Sequence, residues 1–573
     1  MKLINKLFLL ALIVGFVACD TELDLQQDPN AVTPDKASVN DLYNQIQLSF
    51  TGAFRSAEGV GGNLTRMYHM GSFTYEAHTS PNTFNGLWNV AYAALFPDID
   101  ALLALTEERG LDVHSGSVKI MKAYVLMALV DNLNNVPLTE AGQGTDIISP
   151  RADDGASVYA AAVALLDEAI GQMSSTSASG PSNDFYYGGD ASKWIALANT
   201  LKLRAAVTTR LTDPAGASST INSVVSSGNF IQDASGDFQA KYGTQRNNPN
   251  SRHWMYNNHY ENGDGNYLSN YYMWVLRAGK VNADGNIVKD PRLRYYFYRQ
   301  VDDSNNQDPT TYSCHFSTLP TDPDGRPAHF DGVDPRLPYC TAWEDGYSGR
   351  DHGNGEGIPP DGPIRTHYGL YPGGGLFDDD SFIDTRNAGT DGGLGAGVLP
   401  IMLSSFVDFM RAEAALTVGT GEDARALLES GMRKSISKVM SFKSLDPGTF
   451  AKQIEIRGGG TGTVEELYAP DSDDIEAYIG LVLSNYDAAD ATGKLDVVMT
   501  EYYIALWGNG LESYNMYRRT GMPSNMQPTL EPAGGTFSRS FFLPAVHVNR
   551  NATASQKELT DRVFWDDGSA NLY

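Results

Sequence analysis

The chain has 573 residues, of which 42 % are hydrophobic and 19 % charged, and 42 Lys and Arg against 69 Asp and Glu leave a formal net charge of −27. That length accommodates three or four domains of ordinary size, or one helical array whose stability accumulates unit by unit. The charge argues against nucleic acid and against electrostatic adhesion to an anionic membrane, both of which need Lys and Arg, and it suits a neutral or cationic ligand.

Lys2 and Lys6 precede an uncharged apolar run over residues 7–18. The run is shorter than the roughly 20 residues that cross a bilayer. A basic start, a short apolar stretch and a small residue before a cut site make residues 1–18 a secretory signal. Phe16-Val17-Ala18-Cys19 closes the run in the manner of a bacterial lipobox. The Cys19 thiol is then the lipid attachment point, and residues 19–34 are a polar tether. No later stretch reads as a transmembrane helix. The other two cysteines, Cys314 and Cys340, are either a disulfide of an exported protein, stabilising by about 3 kcal/mol in the chain-entropy model, or two separate thiols. No CxxC pair supports a Cys-rich zinc site.

Apolar spacing predicts helices over residues 35–49, 82–108, 117–133, 157–173 and 191–211. The third is apolar almost all round, which predicts burial on every side. Ser157 is read as an N-cap, and Asp213-Pro214 as a stop. This first part, residues 35–239, is read as an all-α stack of helical hairpins of tetratricopeptide type, although no strict 34-residue period is visible. Residues 240–400 lose helical periodicity and become rich in Gly, Asp, Asn, Pro and aromatics, with Gly373-Gly374-Gly375 and Gly392-Gly393 as loops. A long loop-rich insert of this kind is normally functional. Residues 401–573 return to helices on the same scaffold, predicted from Pro400 onward, over 422–439 and over 500–517, and end in loop.

No HExxH, GxSxG or Walker-type motif is present. His253 and His259 do not share a helix face, and residues 353–375 lack the flanks of a phosphate cradle. No cofactor is implied beyond a weak structural calcium site, for which Asp378, Asp380 and Asp384, or Asp302-Asp303 with Asn305 and Asp308, offer hard oxygens. The same residues also read as solvated acidic turns.

The aromatic loops are the stronger lead. Trp254, Tyr256 and Tyr260 share a stretch with Asn257, Asn258 and His259; Tyr271, Tyr272 and Trp274 follow, then Tyr295, Tyr296 and Tyr298, then Trp343 and Tyr347. An earlier segment holds Tyr68, His69, Tyr75, His78 and Trp88. A pyranose offers apolar C–H faces to such rings and a rim of hydroxyls to Asn, Asp, Arg or His. The candidate ligand residues are Tyr75, His78, Trp88, Trp254, Tyr256, Tyr260, Trp274, Trp343 and Tyr347. The competing reading is that these rings pack the loops onto the helical scaffold.

Six segments, in order from the lipobox to the end, resemble the SusD/RagB family of nutrient-binding outer-membrane lipoproteins. They are Asp28-Pro29-Asn30; residues 130–140, containing Asp131-Asn132 and Val136-Pro137; residues 193–204, from Lys193-Trp194 to Arg204; Phe409-Met410-Arg411-Ala412-Glu413-Ala414; residues 507–523, from Trp507-Gly508-Asn509-Gly510 to Gly521-Met522-Pro523; and Phe542-Leu543-Pro544 with Asn549-Arg550-Asn551 and Val563-Phe564-Trp565-Asp566. The resemblance implies four tetratricopeptide-like hairpins and a lipid-anchored lid over a SusC-like TonB-dependent transporter, on the outer membrane and facing outward. It implies oligosaccharide as cargo, with oligopeptide as the alternative; a glycoside hydrolase is the rival from another class. These segments are expected to mark structure: Trp194 and Trp507 as packing between hairpins, and Arg518 and Arg519 as partners of acidic groups or helix ends.

Overall fold

The computed structural model describes residues 38–261, 267–302, 326, 328–339, 345–354, 365–385, 389–455 and 460–573. Cys19, Cys314, Cys340, Trp343 and the acidic residues from Asp303 to Asp308 lie outside them. Helix α1, Val39–Leu64, starts where the Ser38 hydroxyl accepts the Asp41 N–H at 3.0 Å. It runs past the predicted end because Phe50, Ala53, Phe54, Ala57 and Leu64 continue its buried stripe. Helix α2, Asn85–Glu107, carries a wide π-type turn at Val90–Leu95 just before Pro97, the residue that cannot donate to the helical ladder.

Helix α3, Asp112–Leu133, is buried on nearly every side, as its all-round apolarity requires. By length and apolarity both α2 and α3 could cross a bilayer, contrary to expectation, but the apolar window of α3 is 94 % buried inside the fold. Helix α4, Gly155–Ser174, follows Asp154, so Ser157 lies within the helix instead of capping it. Helix α5, Ala191–Thr209, ends before Asp213-Pro214. That dipeptide then opens α6, Pro214–Ser227: Asp213 accepts the Gly216 N–H at 3.0 Å, and Pro214 stands where no donor is needed.

The loop-rich insert leaves and returns at one place. Strand β1, Phe238–Lys241, pairs antiparallel with β4, Val398–Met402, Lys241 opposite Val398. Between them lie helix α7, Asn270–Arg277, and the antiparallel pair β2, Phe297–Tyr298, with β3, His367–Tyr368. The two glycine runs press backbone on backbone: a Cβ on Gly392 would strike the Gly375 carbonyl, and Gly393 N–H bonds Gly375 O at 3.1 Å.

Helix α8, Ser404–Thr417, follows β4, so Pro400 belongs to a strand and the helix begins later than predicted. Helix α9 is Ala424–Met440. Helix α10, Ser472–Ala488, is absent from the sequence reading, and the predicted helix over 500–517 is two: α11, Ala491–Ala505, and α12, Gly510–Thr520. Gly508, at φ +93°, makes the break, and the Asn509 side chain caps α12 by accepting the Glu512 N–H at 3.1 Å. A Cβ on Gly510 would collide with the Glu58 carbonyl and the Gly62 backbone, so this glycine lets α12 start flush against α1. The hairpins stack in chain order: α1 packs on α2, α3 on α4, α5 on α6, and α8 on α9 and α11. The architecture is an all-α, tetratricopeptide-like stack with a loop-rich insert.

The segments that carry the resemblance meet inside this stack. Asp131 is fully buried; its carboxylate accepts from Arg204 Nη2 at 2.7 Å, Asn515 Nδ2 at 2.8 Å and Trp565 Nε1 at 3.0 Å. Arg518 donates to the Asp131 carbonyl at 2.6 Å and lies 4.6 Å over the Trp565 ring. Glu413 receives Arg519 at 2.7 Å and Arg210 at 2.9 Å, all three buried, and the two arginines hold its carboxyl below the usual range against the upward push of burial. Trp194 and Trp507 are fully buried, as their packing role requires.

Candidate ligand-binding face

Just past α1, Arg66 adopts a left-handed conformation, φ +59°, and its buried guanidinium ties the turn to the Leu64, Gln527 and Tyr573 carbonyls at 2.6, 2.8 and 3.0 Å. This anchors the early loop, residues 66–84. Tyr68 then bridges to Leu268, and Ser269 to Arg350. Arg350 N–H bonds Leu268 O and Asn270 N–H bonds Arg350 O, both at 2.9 Å. Three segments distant in the chain, around residues 68, 268 and 350, are thereby stitched into one rigid platform.

Rings and imidazoles crown that platform. The Tyr267 ring lies 3.8 Å from the Arg350 guanidinium and 5.3 Å from that of Arg365, and His69 meets it edge-on at 6.3 Å. His69 Nε2 is 3.1 Å from the Asn354 carbonyl, and His78 Nε2 is 3.2 Å from Asn63 Nδ2. Phe73, between them in the chain, is 38 % exposed, while His69, His78 and Tyr267 are half-buried. Beneath, Tyr75 is buried, 3.1 Å from His352 Nε2. Burial lowers the His69 pKa to about 3, with Arg350 adding to the shift, and burial lowers that of His78 to about 4. Both imidazoles are therefore neutral near pH 7, and the face presents ring surface, amides and neutral ring nitrogens.

Of the residues singled out from sequence, His78 lies on this face and Tyr75 supports it from below. Trp88 is 8 % exposed and packed between Tyr92 and His547, each at 4.4 Å. Tyr256 and Tyr260 stack on each other at 4.8 Å inside a small buried cluster with Tyr298 and Leu376; their hydroxyls bond the Asp391 and Tyr368 carbonyls at 2.9 and 2.6 Å. Trp274 and Tyr347 are each 3 % exposed. Trp254 is half-buried, with Arg55 at 5.2 Å and Tyr68 and Tyr368 edge-on. These rings serve chiefly as core, because the insert has few aliphatic residues to pack against the helices. At Asp378 and Asp380 the oxygens offered for calcium are engaged by arginines. Arg299 Nε donates to Asp378 at 2.7 Å, Arg294 and Arg299 both hold Asp380, and Asp384 is exposed on the surface. Among the described residues no group of three or more His, Cys, Asp or Glu is placed to hold a metal.

The sequence reading missed Phe73, Tyr267 and Arg350, whose assembly depends on isolated bridges between distant segments. A separate cavity of about 1020 Å³ is lined by Asn134, His547, Gln556, Lys557 and Phe564. Its polar walls are largely engaged: Asn134 Oδ1 with the Phe564 N–H at 2.8 Å and Lys557 with the Leu133 carbonyl at 3.0 Å.

Residues 30–323 match the family profile described as starch-binding, associating with outer membrane, and residues 397–561 match the one described as Susd and RagB outer membrane lipoprotein. The chain belongs to the SusD/RagB family. Solved structures of SusD-like proteins share its fold. A susd/ragb family protein from Bacteroides thetaiotaomicron is 17 % identical, with a TM-score of 0.61 over 93 % of this chain and 100 % of its own. A chitin-binding SusD homolog from Flavobacterium johnsoniae is 16 % identical, with a TM-score of 0.57 over 92 % and 99 %. A chitin-binding protein is 18 % identical, with a TM-score of 0.60 over 92 % and 100 %. At these identities the likeness is one of fold. No curated protein sequence matches this SusD-like chain.

Proposed function

We propose that this SusD-like protein is anchored to the outer membrane through lipid on Cys19, captures oligosaccharide at the early-loop face and delivers it to a SusC-like TonB-dependent transporter, making and breaking no bond. The family descriptions support the membrane setting, and the two chitin-binding proteins of the same fold support a carbohydrate ligand. The observation that carries the site is the half-buried set His69, His78 and Tyr267 on a backbone-stitched platform, with the exposed Phe73 in the loop between the two histidines. Rigid rings and amides suit a polyhydroxylated ligand because little side-chain freedom is lost on binding.

Calorimetry against starch- and chitin-derived oligosaccharides and a peptide panel tests the reading. Saturable binding of one glycan series supports it, and binding of peptides alone transfers the scaffold to oligopeptide. Release of reducing sugar would make the protein a glycosidase and overturn the non-catalytic part. Cys19→Ala is expected to block lipid processing and free the protein from membranes; membrane retention of that variant contradicts the anchor.

A further inference from the structure

Lined by none of the residues named on the early-loop face, a cavity of about 380 Å³ opens between the insert and the N-terminal end of α10. Its walls include Lys289, Arg294, Arg299, Tyr347 and Tyr468, with Ile287 and Pro470 as apolar surface. That volume lies at the small end of ligand pockets and suits one or two sugar rings. The cations are unusual in a chain of net charge −27.

The arginines are fixed in place. Arg294 Nη1 donates to the Asp378 carbonyl and to Asp380 Oδ1, both at 2.7 Å, and its guanidinium lies 4.6 Å over the Tyr468 ring. Arg299 is held by Asp378 and Asp380 and lies 5.1 Å over the Tyr347 ring. Arg277 pairs with Asp345. Lys289 differs: it is exposed and, among the described residues, makes no hydrogen bond or ion pair. Loss of solvent lowers its pKa; Asp345 pulls the other way, and Arg294, Arg277 and Arg299 lower it further. Asp474, the other carboxylate at the rim besides the arginine-paired Asp290, accepts the Asp471 N–H at 3.3 Å in the capping box of α10. Four cations, Lys289, Arg277, Arg294 and Arg299, thus stand among four carboxylates, Asp345, Asp378, Asp380 and Asp474, and the Lys289 ammonium is the cation that none of them pairs among the described residues.

We infer that this cavity is a second binding site, for a sugar bearing an anionic substituent, either the carboxylate of a uronic acid or a sulfate ester. Lys289 and Arg294 meet the anion by charge-assisted hydrogen bonds, and Tyr468 with Ile287 and Pro470 borders the ring. The saccharide part rests on the carbohydrate reading above; the anion part rests on the cavity alone.

Ligand-observed NMR titration of the whole protein with galacturonate, galactose 6-sulfate, galactose and acetate tests it, on the native chain and on the Lys289→Gln and Lys289→Glu variants. At least one acidic sugar is expected to bind tenfold or more tighter than galactose and than acetate, and whichever binds identifies the anion. Lys289→Gln should weaken that binding about tenfold, and Lys289→Glu should abolish it. Equal binding of galactose, no binding of either acidic sugar, or indifference to both variants overturns the site. Acetate binding as tightly as galacturonate overturns the saccharide part. Failure of the early-loop face would show instead as loss of neutral oligosaccharide binding, with the acidic-sugar preference intact.

Discussion

Asp131 and Arg204, 73 residues apart in the chain, form a fully buried ion pair at 2.7 Å between the end of α3 and the middle of α5. Arg204 also donates to Glu512 of α12, and Asp131 also receives Asn515 and Trp565. One carboxylate therefore joins an N-terminal hairpin, a C-terminal helix and the closing loop. Such a network costs desolvation when formed, but it is expensive to break, because the remaining partner is stranded in a dry interior.

Asp131→Ala should therefore destabilise the protein by about 3–5 kcal/mol, leaving Arg204 short of one of its two carboxylates. Chemical denaturation of the mature protein measures this. A loss below about 1 kcal/mol would show that the network is incidental to the fold.

Glu58, buried on α1 with the Tyr68 hydroxyl donating to it at 3.0 Å, has its pKa raised by burial to about 7 from an ordinary value of 4.5. The folded state thus holds a proton that the unfolded chain releases near pH 4.5. Stability is full below that pH, falls as pH rises toward 7, and stays low above it, by on the order of 3 kcal/mol at 1.36 kcal/mol per pKa unit. Glu58→Gln removes the penalty, so its stability advantage over the native chain should widen between pH 5 and pH 8 in urea titrations. An advantage that does not change with pH would contradict the assignment.

His69 and His78, lowered to about 3 and about 4, stay neutral across pH 5–8. Oligosaccharide affinity at the early-loop face should then vary less than twofold over that range by calorimetry. A steep transition near pH 6.5 would mean that an imidazole charges on the free face.

Much of the scaffold was legible in the sequence, because α3, α4, α5 and α9 owe their existence to apolar spacing that any short window displays. The helix break at Gly508 and the second role of Asp213 were not, since both depend on one residue's local geometry and not on a pattern. The candidate ligand face was legible only in part. Residue type located aromatic-rich segments, but Tyr256, Tyr260 and Trp274 answer to the need for a core, which composition cannot separate from a need for a binding surface. Tyr267 and Arg350 become neighbours through the bridges at Leu268 and Ser269, an arrangement without any local trace.

The most direct test of the account is a calorimetric titration of Phe73→Ala and Tyr267→Ala with the oligosaccharide series that the native protein binds, alongside thermal melts. Affinity should fall at least tenfold in each variant while the melting temperature stays within a few degrees, since both residues are partly exposed. Native affinity in both folded variants would contradict the placement of capture at the early-loop face.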